Sequence, residues 1–285
     1  MRSCALAPWR PGDLAPSRPC ALAPVRPNSC ALAPSRSGAL ARWRAGALID
    51  PVARLSKKQT HGKGRAGRTW YANAEDSLSF SLAFPFQKSP AALSGLSLVA
   101  GLAVIEGICS ALNTSERVLY QQGLRLKWPN DIVIGHAKVG GILIEGGQTA
   151  PTEPSWMIIG VGLNVHSHIG DAAELKAIRT DPIGGLDQLL MQGQALPDQD
   201  YIWLNLVNAF ERLCTEFDQH GFAPFMQRWS DWDAYQGEPV FTSVLGEKDI
   251  EGVASGIDRT GAYQIQTDHA LVAVHAGDVS LRRQT

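Results

Sequence analysis

Leu124-Arg125-Leu126-Lys127-Trp128-Pro129-Asn130-Asp131-Ile132-Val133-Ile134 is the most informative stretch of this 285-residue chain. Leu124 and Leu126 alternate with Arg125 and Lys127, the period of a strand with one apolar face. Pro129 ends the run because it has no backbone N–H to donate, and Asn130 and Asp131 supply turn chemistry. A second strand opens at Ile132. A lysine on a rigid strand, beside a turn carrying two polar side chains, is poorly explained by folding alone and suits the binding of an anion. Its charge is expected beside the apolar body of Trp128.

Outward from that stretch the chain reads as an α+β protein. Leu78, Phe80, Leu82 and Phe84 alternate with small residues, as in a half-buried strand. Residues 91–112 place Leu93, Leu96, Ala100, Ala103, Val104 and Ala111 at helical spacing. Strands are expected at about 124–128, 132–135, 139–145 and 157–165. Trp203, Leu206, Phe210, Leu213 and Phe217 mark an amphipathic helix, and Phe222–Trp232 a shorter one. Near Gly237 the period falls to two, with short runs split by Gly246, Gly252, Gly256, Gly261 and Gly277, which predicts a small β-barrel. Strands and helices interleave without regular βαβ alternation, so a doubly wound sheet is not expected.

Composition excludes some classes. Hydrophobic content of 45% with a formal net charge of −1 describes an ordinary globular chain, with no charge excess that would coat nucleic acid. No apolar run approaches the roughly 18 residues of a membrane span. The first 50 residues hold seven Arg against Asp13 and Asp50. Within them, Cys4-Ala5-Leu6-Ala7-Pro8, Cys20-Ala21-Leu22-Ala23-Pro24 and Cys30-Ala31-Leu32-Ala33-Pro34 repeat irregularly. Residues 1–37 hold seven of the 17 Pro, a density that blocks helix and leaves little to build a core, so this segment is expected to be disordered. An Arg-rich transit peptide is the alternative, but the prolines spoil its amphipathic helix. The five Cys include no C-x-x-C pair. Cys109 and Cys214 sit in apolar helical patterns as buried free thiols, which fits a reducing cytoplasm. The pair His166 and His168 is expected at the surface without partners, and no metal site is expected.

Gly62-Lys63-Gly64-Arg65-Ala66-Gly67-Arg68-Thr69-Trp70 is the second stretch that carries chemistry. Three glycines let backbone amides approach a ligand, while Lys63, Arg65 and Arg68 put positive charge on one short loop. The glycines satisfy G-x-G-x-x-G, but a dinucleotide site needs a helix next, and here a strand follows. No Gly-Lys-Ser/Thr completes a P-loop. Taken alone, the loop is also compatible with a solvated basic turn. Gly140-Gly141-Ile142-Leu143-Ile144-Glu145 and Ile158-Ile159-Gly160-Val161-Gly162-Leu163-Asn164-Val165 are glycine-interrupted strands, which mark either a close ligand or a bulge. Asn164 ends its strand with an amide able to read a base edge or to cap a loop.

Together, Gln59-Thr60-His61-Gly62-Lys63-Gly64-Arg65, Lys127-Trp128-Pro129-Asn130-Asp131, Lys138-Val139-Gly140-Gly141-Ile142-Leu143 and Gly160-Val161-Gly162-Leu163-Asn164 resemble biotin–protein ligases in order and spacing. Asp278-Val279-Ser280-Leu281-Arg282 resembles the end of that family's SH3-like domain. The resemblance covers about residues 39–283. It implies a mixed β-sheet packed with helices, of the class II synthetase-like biotin/lipoate ligase type, over residues 39–234. An SH3-like domain over 236–283 would follow, with the repeat of residues 1–38 in front.

The implied reaction joins biotin to AMP with loss of pyrophosphate from Mg2+-bound ATP, then passes biotin to a lysine of a biotin carboxyl carrier protein. The resemblance casts Lys127 and Arg65 as catalytic cations. Gln59, Lys63, Gly64, Arg65, Lys127, Gly140 and Gly141 would hold biotin. Arg65, Arg68, Trp70, Asn130 and Asn164 would hold ATP or the adenylate, with Lys138 a weaker candidate. Association into a homodimer is compatible with the family.

Two departures stand out. No DNA-binding winged helix precedes the catalytic region, so repressor activity and a nucleic-acid partner are not expected. The family's biotin-contacting Ser-Thr-Asn segment is replaced by Ser35-Arg36-Ser37, and the strand before it is absent. A lost hydrogen bond to buried biotin would cost roughly 1–3 kcal/mol. A catalytically impaired binding homologue and a lipoate or octanoate ligase are therefore the alternatives.

Overall fold

The computed structural model describes residues 41–46, 48, 50–56, 59, 62–171, 182–244, 250–276 and 279–283. The N-terminal repeat, Ser35-Arg36-Ser37 and Cys4, Cys20 and Cys30 lie outside the described residues.

Among the described residues, eight strands precede the long helix over Gln199–His220. They are β1 (Val52–Ser56), β2 (Gly62–Lys63), β3 (Thr69–Trp70), β4 (Ser77–Phe86), β5 (Leu124–Lys127), β6 (Asp131–Ile134), β7 (Ala137–Gly147) and β8 (Ser155–Asn164). Six form one sheet in the order β1-β4-β8-β7-β6-β5. Every ladder in it is antiparallel. Its mixed character resides in two isolated parallel bridges, Leu126 to Asp233 and Lys138 to Ile183.

One face of the sheet is buried by helices α1 (Leu96–Ala111) and α3 (Gln199–His220), with the short α2 (Glu116–Gln121) and α4 (Met226–Asp231) beside them. The helix expected at 91–112 breaks at Gly95, with a 3-10 turn over Pro90–Leu93 before α1. Phe80 meets Phe210 edge-on at 5.8 Å and Phe86 meets Phe217 at 6.0 Å, which locks β4 onto α3.

Strand β4 departs from its half-buried reading. Ser77, Ser79 and Ser81, on the face away from the helices, are buried as deeply as the phenylalanines. That second face is the floor of a cleft.

Residues 232–234 run beside β5, with Leu126 N donating to Trp232 O at 2.8 Å and Ala234 N to Leu126 O at 2.9 Å. They lead into strands β9 (Pro239–Val244), β10 (Ile250–Ile257), β11 (Tyr263–Gln266), β12 (Leu271–Val274) and β13 (Val279–Arg283). These make a five-stranded antiparallel sheet in the order β12-β11-β10-β9-β13, where the period-two pattern places a small β-domain.

Trp128 is the hinge of this junction. It is buried, its Nε1 donates to Gly261 O at 3.0 Å, and its ring lies 5.6 Å from Tyr263. Trp128 follows β5 and borders the cleft, but its indole is committed to Gly261 and Tyr263 at the junction, not to the Lys127 charge as expected. Lys127 instead has Tyr235, with its ammonium 5.6 Å from that ring.

Candidate active site

Register across the sheet builds the site. Lys127 pairs with Asp131, Asp131 with Gly141, Gly141 with Gly162, and Gly162 with Ser79. Paired residues share a face, so one row crosses five strands with side chains at its ends and glycine in its middle. The cleft over this row has a volume of about 510 Å³.

Glycine is required where Trp70 comes down. A Cβ on Gly162 would stand 2.5 Å from the indole of Trp70, so the ring lies directly on the bare backbone. Gly140 is required for the sheet itself, since a Cβ there would meet Leu163 at 2.5 Å and the Gly162 carbonyl at 2.7 Å.

The charges on this floor are sorted by pairing. Asp131 stands opposite Lys127, but its carboxylate binds Lys138 at 2.6 Å. Lys138 therefore neutralises the acid paired across from Lys127, and among the described residues no carboxylate pairs with Lys127. Its positive charge is directed at the cleft.

Arg65 reaches in from the glycine loop and donates through Nη1 to Asn130 Oδ1 at 3.2 Å. Asn130 is itself fixed, its Nδ2 donating to Ile142 O at 2.7 Å and its carbonyl accepting from Ile142 N at 2.9 Å. The Pro129 turn is held by Ser97 Oγ, which donates to the Pro129 carbonyl at 2.8 Å. The turn thus positions one cation by its strand and a second by its Asn.

The C-terminal sheet closes the remaining side. Phe241, Leu281, Arg282 and Arg283 line the cleft. The Arg283 guanidinium lies 5.3 Å from the ring of Tyr235 and donates to Ala234 O at 3.2 Å. Tyr235 is flanked by Arg283 and Lys127, which links the second sheet to the first. Beneath it, Asp233 is buried and accepts from Tyr235 N at 3.0 Å and from Tyr263 Oη at 2.8 Å. Burial raises its carboxyl to about 6 despite those two hydrogen bonds, and pushes the Tyr263 phenol up as well.

Gln59, Lys63, Gly64, Arg65, Arg68, Trp70, Lys127, Asn130 and Gly141 all line the cleft. Gly140 and Asn164 do not. Gly140 lies under the floor, and Asn164 spends its Nδ2 on the carbonyls of Lys138 and Gly184, at 3.2 and 2.9 Å. It ties β8 to the 182–184 segment, which is the loop-capping role of an Asn.

Sequence pattern alone does not single out Ser79, Ser81 or Tyr235, and shows Asp131 only as a turn residue. The serines alternate with phenylalanine and leucine, so they look like the wet face of a strand. Tyr235 reaches the site only through the bridge to Leu126. His166 and His168 lie at the surface as expected but have a partner: their rings stack at 5.3 Å and both meet the Asp76 carboxylate, at 3.2 and 2.8 Å. Cys214 is buried and Cys109 partly so, and burial pushes the Cys109 thiol up to about 12, so neither serves as a nucleophile. Among the described residues no helix is long and apolar enough to cross a membrane.

Comparison with known proteins gives the same picture. Residues 34–164 match the biotin/lipoate A/B protein ligase family, and residues 238–282 the biotin protein ligase C terminal domain. A biotin–[acetyl-CoA-carboxylase] ligase of Mycobacterium tuberculosis is 32% identical over 235 residues, which is 81% of this chain and 79% of the relative. The bifunctional ligase/repressor BirA of Salmonella typhimurium is 29% identical over 231 residues, and this chain spans 66% of that relative's length. The solved biotin protein ligase of Aquifex aeolicus, in complex with biotin and ATP, is 27% identical with a TM-score of 0.64, covering 81% of this chain and 89% of that one. The cleft, the row of glycines and the two matched domains lead to one conclusion: this chain belongs to the biotin protein ligase family.

Proposed function

We propose that the protein activates biotin with ATP to biotinyl-5′-AMP and transfers the biotinyl group to a lysine of a biotin carboxyl carrier protein. The observation that carries this reading is the convergence of Lys127 and Arg65 on a glycine-floored cleft, with Asp131 already neutralised by Lys138. Two anions, a carboxylate and a triphosphate, must meet for the reaction to begin, and fixed cations offset their repulsion.

In the first step a biotin carboxylate oxygen attacks the α-phosphorus of Mg-ATP. A new P–O bond forms as the bond to pyrophosphate breaks, and pyrophosphate departs with its magnesium. Lys127 and Arg65 stabilise charge on the carboxylate and the phosphoryl oxygens, and Asn130 holds Arg65 in place. Gln59 and the Lys63–Gly64 backbone bind biotin over Gly141, while Gly140 lets β7 and β8 close beneath it. Trp70 and Arg68 cover the adenylate, and Asn164 acts only indirectly, by tying β8 to the 182–184 segment. In the second step the carrier lysine amine attacks the acyl carbon, AMP leaves with the bonding electrons, and the amine proton passes to solvent. Positioning and charge suffice for both steps. The catalytic domain comprises residues 39–234 and the C-terminal domain 236–283. The free thiols of Cys109 and Cys214 support a cytoplasmic setting beside the carrier, and a homodimer is the proposed assembly.

Biotin-dependent ATP–pyrophosphate exchange tests the first step. Exchange with biotin, and none with lipoate or octanoate, is expected; absence of exchange with every acid would remove the adenylation claim. The altered Ser35-Arg36-Ser37 segment motivates a second reading, a binding homologue without catalysis. Calorimetric biotin binding without exchange would favour it.

A further inference from the structure

Ser79 lines the cleft from the middle of β4, and its Oγ is buried without a hydrogen-bond partner. The residue is only 5% exposed. A hydroxyl taken out of water and left unpaired is unfavourable, and natural folds seldom leave one so. Ser155, on the neighbouring strand β8, shows the usual solution: its Oγ donates to the Lys88 carbonyl at 2.6 Å.

The position of Ser79 is as informative as its lack of a partner. It ends the cross-sheet row that begins at Lys127, four interstrand steps away, a span of about 19 Å. Between them, the Asp131–Lys138 pair leans against Gly141 and Trp70 covers Gly162, so neither glycine carries a side chain of its own into the cleft. Trp70 rests on Gly162 beside Ser79, and its indole Nε1 is also buried without a partner. The row therefore has a cation at one end and two unsatisfied polar atoms toward the other.

We propose that Ser79 is a specificity-determining residue whose hydroxyl hydrogen-bonds the uncharged ring end of the acid activated in the cleft, the ureido group when that acid is biotin. This rests on the ligase reading above. The carboxylate of the acid is drawn toward Lys127 and Arg65, so its remaining polar group must be met elsewhere along the row. A ureido group offers both N–H donors and a carbonyl acceptor, and a hydroxyl serves as either partner. A plain fatty acid has nothing to offer Ser79 and leaves it unpaired. Sites built to hydrogen-bond a substrate reject analogues lacking the group for this reason.

The test uses the full chain and Ser79→Ala, with thermal unfolding, calorimetry and pyrophosphate exchange. Without ligand, the variant is expected to unfold at the same temperature as the parent or higher, because the substitution removes an unsatisfied group. Its biotin Kd should rise about tenfold, and its Kd for desthiobiotin, which keeps the ureido group and lacks the ring sulfur, should rise equally. The KM for ATP should not change. Parental biotin affinity in the variant overturns the proposal. So does a lowered unfolding temperature without ligand, an unaltered desthiobiotin Kd, or a defect in ATP instead of biotin. If the parent chain binds no biotin at all, the ligase reading itself fails and takes the role of Ser79 with it.

Discussion

Asp233→Asn gives a stability prediction whose sign follows from one buried carboxyl. Asp233 accepts hydrogen bonds from the Tyr235 amide and the Tyr263 hydroxyl, yet burial raises its pKa from 3.8 to about 6. The folded protein thus holds the proton more tightly than the unfolded chain. Below about pH 4 the carboxyl is protonated in both states and costs nothing. As pH rises from about 4 to about 6 the folded state pays an increasing penalty, which then stays constant at about 3 kcal/mol. Asparagine has the same shape and no charge. Its Oδ1 accepts from Tyr235 N, and its Nδ2 donates to a Tyr263 hydroxyl that turns from donor to acceptor. Asp233→Asn should therefore raise stability at pH 7.5 by up to about 3 kcal/mol, and the gap should close as pH falls to 4. Urea unfolding at a series of pH values measures it. A variant less stable than the parent at pH 7.5, or a gap that does not change with pH, would rule out a destabilising charge on buried Asp233.

Other outcomes follow from the same contacts. Tyr263→Phe removes a donor to a buried carboxylate and should lower stability at pH 7.5 by about 1.5–3 kcal/mol, read by the same unfolding experiment. Lys127→Ala should abolish biotin-dependent pyrophosphate exchange while leaving the unfolding midpoint nearly unchanged, because the ammonium has no acidic partner to lose among the described residues. Arg65→Gly should let the adenylate escape, seen as biotin on lysines of a bystander protein; wild-type-like transfer by either variant would remove its proposed role. Gly162→Val brings side-chain atoms into the Trp70 ring, which a Cβ alone would meet at 2.5 Å. Loss of Trp70 fluorescence protection from iodide, with weakened exchange, is the expected sign.

Much of this architecture is legible in local pattern. Leu78, Phe80, Leu82 and Phe84 announce β4, and Trp203 to Phe217 announces α3, because a single buried face imposes a period. The glycine loop and the Lys127 turn are legible for a different reason: their residue types are costly for folding and so point to a ligand. What sequence hides is what depends on distant partners. Ser79 and Ser81 follow the period of a wet strand face, and only the covering loop makes that face buried. Trp128 is adjacent to Lys127 in the chain, but Gly261 and Tyr263 claim its indole for the domain junction, and Tyr235 arrives beside the lysine from over 100 residues away. Asp131 looks like a turn residue until the β6–β7 pairing brings Lys138 to it.

The proposed reaction joins biotin's carboxylate to AMP in this cleft and passes the biotinyl group to a carrier lysine. Its most direct test incubates the full chain with biotin, Mg-ATP and a biotin carboxyl carrier domain, and follows the intact mass of the carrier. One biotinyl group is expected on the carrier's acceptor lysine, dependent on ATP and absent with the Lys127→Ala enzyme. An unmodified carrier, or modification that survives loss of Lys127, would contradict it.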